Sequence, residues 1–351
     1  MIYGNVYCEN FTENQLFDYS GPRNTDGLFT PHFVLRQKLL QLGIEINTPD
    51  VNAGRAIGFE LHFDGRPLPS SDIRRYLIAV ESPFHNKLNV DADYLKNFFR
   101  VFSWNDIIQG LPGSVRIFIP NNIVAQDFRG FADRDIFSCL ISSNKVAPWL
   151  GDNDLYAERV RVIRWYESNA PALFGLYGWG WGKPSHVFTR REKFFRRIER
   201  LRTQLYGHRP FPSWKGTVKF KSDVLSRAKF YYCYENVKGL PNYITEKIFD
   251  CFLSGCVPIY WGANNVQEYI PSNCFIDRRL FGSTAEVHDY LLSITPEEYL
   301  QFQVNITDFL RSENAYLFSV DNFVTRIADS IALDTFPNSA SAYSNSISKQ
   351  Q

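Results

Sequence analysis

Two rhythms of apolar residues alternate along the chain. Residues 1–8, "AIGFELHF" (56–63) and "RRYLIAVES" (74–82) are short apolar runs that predict strands. "FRVFSWND" (99–106) and "SVRIFIP" (114–120) extend the series. Between them, "TPHFVLRQKLLQLG" (30–43) spaces Phe33, Leu35, Leu39, Leu40 and Leu42 as the apolar side of a helix stopped by Gly43, and "IEINTPD" begins the next strand and turn. The pattern then restarts. "RDIFSCLISSN" (134–144) predicts a strand, "LYAERVRVIRWYESN" (155–169) a helix and "ALFGLYG" (172–178) a strand. A basic helix over 191–207 follows, then a strand at "FYYCYEN", a helix over 243–255, and strands at "CVPIYWG" and "CFIDRR" (274–279), with helices after 284.

Strands alternating with helices predict parallel sheets covered on both faces. The restart beside Gly130 predicts two α/β domains, 1–131 and 132–335, with the last helices free to pack back on the first domain. The Ser- and Asn-rich stretch 336–351 reads as a disordered tail.

Composition narrows the picture without naming a chemistry. The 351 residues are 44% hydrophobic and 21% charged, enough for a large core. The formal charge of +1 excludes an overall field for nucleic acid, but it is uneven: 183–229 holds fourteen Lys and Arg against three Asp and Glu. In "FFRRIERLRTQL", Phe194, Ile198, Leu201 and Leu205 form an apolar stripe under arginines, a pattern that suits either a membrane surface or this protein's own core. Cysteines at 8, 139, 233, 251, 256 and 274 form no C-x-x-C pair and have no His cluster, so neither zinc nor a disulfide framework is expected. The start "MIYGNVYCEN" has no basic n-region, and no window approaches the roughly 18 apolar residues of a membrane span. A cytoplasmic protein is expected, resting at most on a membrane surface.

Chemistry concentrates in "YYCYENVKGLPNYITEKIFDCFLSGCVPIYWG" (231–262), where a buried strand runs into Glu235-Asn236 and the next helix opens on Tyr243, Thr245, Glu246 and Lys247. Strand carboxyl ends facing helix amino ends are where α/β folds hold ligands. With Asn242 as N-cap and Ile244, Ile248 and Phe252 facing the core, Tyr243, Glu246, Lys247 and Asp250 share the other face. Free N–H groups and Lys247 there suit a diphosphate, and Glu246 suits a ribose diol. A dipole-matched helix start with a solvated lysine fits the same pattern. Arg159 and Arg161 in the 155–169 helix, and Glu81 and His85 in "VESPFH", are further candidates, though a lone arginine or a strand-end glutamate is more often structural. The glycines of "LYGWGWG" (176–182) miss the dinucleotide spacing.

Taken together, 231–262, "ISSN", the Arg159 helix and "ESPFH" resemble glycosyltransferase family 10, the α-1,3/4-fucosyltransferases, of bacterial type. The opening stretch is similar to that family's F-E-N segment followed by Y-[VI]-T-E-K and V-P-[VI]-x-x-G, with Tyr234 in place of the usual Phe and a loop one residue longer before Tyr243. The resemblance covers roughly 74–280 and implies a GT-B fold, two Rossmann-like domains facing a cleft. It further implies an inverting transfer from GDP-fucose that needs no metal or other cofactor. Carried over, Arg159 and Lys247 bind the diphosphate, Tyr243 contacts it, Glu246 holds the ribose and Asn236 lies against the nucleotide. Glu81 matches the general base and His85 the acceptor side. The acceptor would be an oligosaccharide of lipopolysaccharide or O-antigen. Another GDP-6-deoxyhexose donor such as colitose, or a non-catalytic glycan-binding relative, are the alternatives.

Overall fold

The computed structural model describes residues 1–351 except 22–23, 125–127, 129, 183–197, 199–200, 202–208 and 338–351. The basic helix expected over 191–207 therefore lies, apart from Ile198 and Leu201, outside the described residues, as does most of the expected tail. The chain divides into two compact units. One is Met1–Asn122 together with the stretch that starts at Tyr316; the other is Ile123–Ala315.

The first unit is a parallel sheet of β1 (Ile2–Tyr7), β2 (Ile44–Asn47), β3 (Ile57–Phe63), β4 (Arg74–Ala79), β5 (Arg100–Ser103) and β6 (Ser114–Arg116), in the order β2-β1-β3-β4-β5-β6. Helix α1 (Thr30–Gln41) connects β1 to β2. Strand β3 shows why this sheet is two-sided. Phe59, Leu61 and Phe63 join the large core on one face, whereas Glu60 and His62 are buried on the other by pairing with each other and, for Glu60, with Arg75.

The second unit is a parallel sheet of β7 (Ile136–Ile141), β8 (Phe174–Tyr177), β9 (Ala228–Tyr234), β10 (Val257–Trp261) and β11 (Ile276–Asp277) in the order β11-β10-β9-β7-β8. Its longer helices are α2 (Leu155–Asn169), α3 (Glu246–Leu253), α4 (Thr284–Ser293) and α5 (Pro296–Leu310). Val162, Ile163 and Tyr166 of α2 meet Leu140, Phe230, Tyr232 and Ile259 of the strands in one core. All six cysteines are free thiols. Among the described residues, no helix is long and apolar enough to cross a membrane.

The boundary expected after residue 131 thus falls after Asn122, and the last helix, α6 (Val320–Thr335), belongs to the first unit. Phe323, Ile327 and Ile331 recur at helical spacing and are buried with Leu35 and Leu39 of α1. An apolar stripe of that length must cover a sheet, and the sequence does not say which one. A charge fixes the end of the helix. The buried Asp334 carboxylate accepts from Arg100 Nε and Nη2, each at 2.5 Å, and from the Tyr76 hydroxyl at 3.3 Å; Arg74 donates to the Asp334 carbonyl at 2.7 Å. Asp334→Ala should therefore cost the first unit about 1.5–3 kcal/mol, the range for a charge-assisted hydrogen bond. Urea unfolding followed by circular dichroism reads this as a lower midpoint; an unchanged midpoint would show that apolar packing alone seats the helix.

Candidate functional site

In the second unit the chain leaves β7 toward β8 in one direction and leaves β9 toward β10 and β11 in the other. The carboxyl ends of β7 and β9 therefore flank a topological switch point, the place where open α/β sheets hold ligands. Helix α2 follows β7 and α3 follows β9, so each presents its first turn there.

Glu235, the first residue beyond β9, organises this end of the sheet. Its side chain is fully buried. The carboxylate accepts from the Thr245 backbone N–H at 2.8 Å, the Thr245 hydroxyl at 2.7 Å and Lys247 Nζ at 3.2 Å. Gly262 makes room for it, since a Cβ at that position would stand 2.4 Å from Glu235 Cγ. Thr245 in turn accepts from the Lys247 backbone N–H and is the N-cap of α3.

The helix therefore starts at Glu246, not at 243, and Thr245, not Asn242, caps it. Asn242 instead adopts a left-handed backbone with φ 64°, tied to Asn265 by two hydrogen bonds and to the Tyr269 hydroxyl by a third, each 2.8 Å. That turn carries Tyr243 ahead of the helix and into the interior, where it is 3% exposed. It does not share an open face with Glu246 and Lys247. The amphipathic spacing missed this because Ile244 is equally buried in the turn before the helix.

Arg159 of α2 is also buried rather than solvated. Its Nη2 donates to the Tyr234 and Glu235 carbonyls at 2.6 and 2.9 Å and to Asn236 Oδ1 at 3.2 Å. Among the described residues it forms no ion pair with a carboxylate. Arg161, its neighbour in sequence, is mostly exposed and pairs with Glu158 on its own helix. Arg159, Asn236 and Glu235 thus meet at the end of β9, with Thr245 and Lys247 bonded to the same Glu235.

Charges alternate around the start of α3. Lys247 touches Glu235 and, at 3.6 Å, Glu246; Lys221 touches Asp250 at 2.6 Å and Glu246 at 3.7 Å. The Glu246 side chain is 42% exposed, so desolvation disfavours its anion only in part, and the ammonium groups of Lys247 and Lys221 outweigh it and hold the carboxyl down to about 2. Burial likewise disfavours the Lys247 cation, and the Glu235 and Glu246 carboxylates reverse this and raise it. Both groups are therefore charged at neutral pH. Lys247 Nζ spends two of its N–H bonds on Glu235 and Thr245. Sequence reasoning passed over Glu235 and Lys221 as partners, although Glu235 stood in the quoted motif; only the fold brings 221, 235 and 246 together.

In the first unit, Glu81 lies two residues past β4. Asp64, in a left-handed backbone with φ 58°, accepts from the N–H groups of Val80 and Glu81, each at 2.9 Å, and from Asn89 at 2.8 Å. Asn89 also donates to the Glu81 carbonyl at 2.9 Å. This staple leaves the Glu81 carboxylate 40% exposed, 3.8 Å from His85 Nδ1. His85 Nδ1 bonds the buried Ser82 hydroxyl at 2.8 Å. Glu81 and His85 are thus brought together. Asp64 was not singled out in the sequence, although the D-G dipeptide after β3 is a turn signal that could have found it.

The Glu246 geometry has a pH signature. A carboxyl lowered from 4.5 to about 2 on folding stabilises the folded state fully above 4.5, and that contribution is lost as pH falls through about 2. Glu246→Gln lacks it. The melting-temperature advantage of the native chain over this variant should shrink between pH 4.5 and pH 2; parallel curves would show that the lysines do not hold the carboxylate.

Residues 181–307 match a family model described as "Glycosyltransferase family 10 (fucosyltransferase) C-term". Over 74 residues the chain is 39% identical to the alpha-(1,3)-fucosyltransferase FucT of Helicobacter pylori, a match covering 21% of this chain and 15% of that protein. Over 81 residues it is 40% identical to the alpha-(1,4)-fucosyltransferase of Arabidopsis thaliana, covering 22% and 20%. The matched stretch thus spans a fifth or less of these two relatives. Among solved structures, an alpha1,3-fucosyltransferase crystallised with GDP superposes with a TM-score of 0.51 at 14% identity, over 94% of this chain and 89% of that one, which is a likeness of fold. Glu81, His85 and Arg159 lie outside the matched family segment; Asn236, Tyr243, Glu246 and Lys247 lie inside it. Residues 181–307 are accordingly similar to a glycosyltransferase family 10 (fucosyltransferase) C-terminal region, in a chain with the two Rossmann-like α/β units of a GT-B fold.

Proposed function

We propose that the chain is an inverting fucosyltransferase that moves L-fucose from GDP-fucose to a 3- or 4-hydroxyl of an acceptor oligosaccharide. The observation that carries this reading is the meeting of Arg159 with Asn236, Glu246 and Lys247 around the switch point, the last three on a segment that matches a fucosyltransferase family. Arg159 is a buried guanidinium that pairs with no carboxylate among the described residues, and its Nη1 and Nε make no hydrogen bond there. A buried cation of this kind is satisfied by an anion. A diphosphate supplies one, and the first turn of α3 with Lys247 adds donors on the other side. The half-exposed Glu246 carboxylate then accepts from the ribose hydroxyls.

In the reaction, the acceptor oxygen forms a bond to C1 of fucose while the bond from C1 to the β-phosphate oxygen breaks. The electron pair leaves on GDP, where Arg159, Lys247 and the helix start stabilise it without a metal. The acceptor proton passes to Glu81, whose carboxylate is open to a hydroxyl while its backbone is held by Asp64. Acceptors of lipopolysaccharide or O-antigen type rest on the family resemblance alone. Six free cysteines suit a reducing compartment, which supports the cytoplasm.

Calorimetry with GDP in excess EDTA tests the donor site. The native chain should bind, and Lys247→Ala and Arg159→Ala should each weaken binding roughly 10- to 100-fold, the worth of one charge-assisted bond. Binding that returns only with manganese or magnesium overturns the metal-free reading. Loss in Arg161→Ala but not in Arg159→Ala reassigns the arginine.

Glu81→Gln tests the base. Fucose transfer to acceptors containing N-acetylglucosamine, glucose or galactose, read by mass spectrometry, should fall roughly 10²–10⁴-fold. Melting temperature and GDP affinity should hold. A fully active variant would pass the proton to another group, with His85 the nearest.

A further inference from the structure

Arg278 follows β11 and is 8% exposed, yet among the described residues it forms no ion pair with a carboxylate. Its Nη1 donates to the Phe281 carbonyl at 2.6 Å, and its guanidinium lies 5.1 Å from the centre of the Trp261 ring. Its Nε is buried with no hydrogen-bond partner. The Tyr234 hydroxyl, also buried, lies beside the guanidinium. Burial raises that phenol, and the Arg278 guanidinium beside it pulls the other way.

The contrast with Arg134 is instructive. That arginine is buried too, but its two terminal nitrogens are bonded to the carbonyls of Leu225, Ala228 and Ser254. Arg134 is a structural clamp. Arg278 is not saturated in this way, and it lines a cavity of about 490 Å³. The other walls include Glu158, Arg161, Trp261, Arg279 and the first residues of α4. Two of the three lining arginines are already neutralised, Arg161 by Glu158 and Arg279 by Asp277. At α4, Glu286 takes the Ser283 hydroxyl and the Gly282 N–H, so part of that helix start is occupied. The unmatched charge of the cavity is Arg278. None of the residues assigned to the donor lines it.

We infer that this cavity is a second anion site, which takes the phosphate of a small organic phosphate against Arg278 with its body along Trp261. Nη2 of Arg278 makes no hydrogen bond among the described residues, and an open N–H on a guanidinium that no carboxylate matches is met best by an oxyanion. The volume lies within the range of small-molecule sites, and the indole offers an apolar wall. The site stands on its own observations and does not require the donor reading.

Inorganic pyrophosphate is the probe, titrated by calorimetry into the full chain with and without saturating GDP. Binding should persist in Lys247→Ala and in the presence of GDP. It should fall about tenfold or more in Arg278→Gln, the loss expected for one charge-assisted contact. Arg161→Glu, at a mostly exposed position, places a carboxylate at the cavity and should weaken the probe similarly even if Arg278→Gln does not fold. Unchanged affinity in Arg161→Glu and in folded Arg278→Gln overturns the site. So does GDP abolishing all pyrophosphate binding, which would make the cavity part of the donor site. If GDP itself fails to bind while the Arg278 and Arg161 effects remain, the donor reading falls and this site stands.

Discussion

A single buried carboxylate holds the chemistry of the second unit together. Glu235 sits fully inside the protein at the end of β9 and binds Thr245 twice and Lys247 once. Burying an anion is affordable only when its lone pairs are met, and here two neutral donors and one ammonium meet them. The result reaches beyond stability. The strand end, the cap of α3 and the ammonium of Lys247 become one rigid assembly. Arg159 grips the same strand end from α2 through the Tyr234 and Glu235 carbonyls. The two helix starts that flank the switch point are thereby aligned on a common anchor.

This arrangement sorts the cations by task. Lys247 and Lys221 are paired with carboxylates and set the ionisation of Glu246. Arg134 has its two terminal nitrogens on backbone carbonyls and closes the core. Arg159 and Arg278 are the buried guanidiniums left with N–H groups that nothing described in the fold accepts. The two proposed anion sites stand at separate points along the carboxyl edge of one sheet.

The first unit solves a different problem. The base proposed at Glu81 must keep its carboxylate available while its backbone stays put, and Asp64 serves this by holding the main chain of Val80 and Glu81. The left-handed turn that puts Asp64 there costs little in an Asp-Gly turn and would cost more with a branched residue.

Much of this was legible in the chain itself. Apolar periodicity marks the strands and α2, because alternation at 2 and 3.6 residues is a local property. The motif around 234–247 picks out the segment that holds the candidate donor residues, since those residues are close in sequence. What sequence spacing could not decide is which groups face one another across it. Nothing local says that Asn242 turns left-handed against Asn265 and Tyr269, which moves the helix start to Glu246 and buries Tyr243. Nor does the pattern tell a solvated Arg159 from a buried one, or show that α6 returns to the first sheet through Asp334 and Arg100. Arg159 and Glu235, 76 positions apart, and Arg100 and Asp334, 234 apart, meet only when the sheets have formed. Whether a charge is exposed, clamped or left waiting for an anion depends on those partners, and so only the tertiary structure decided it.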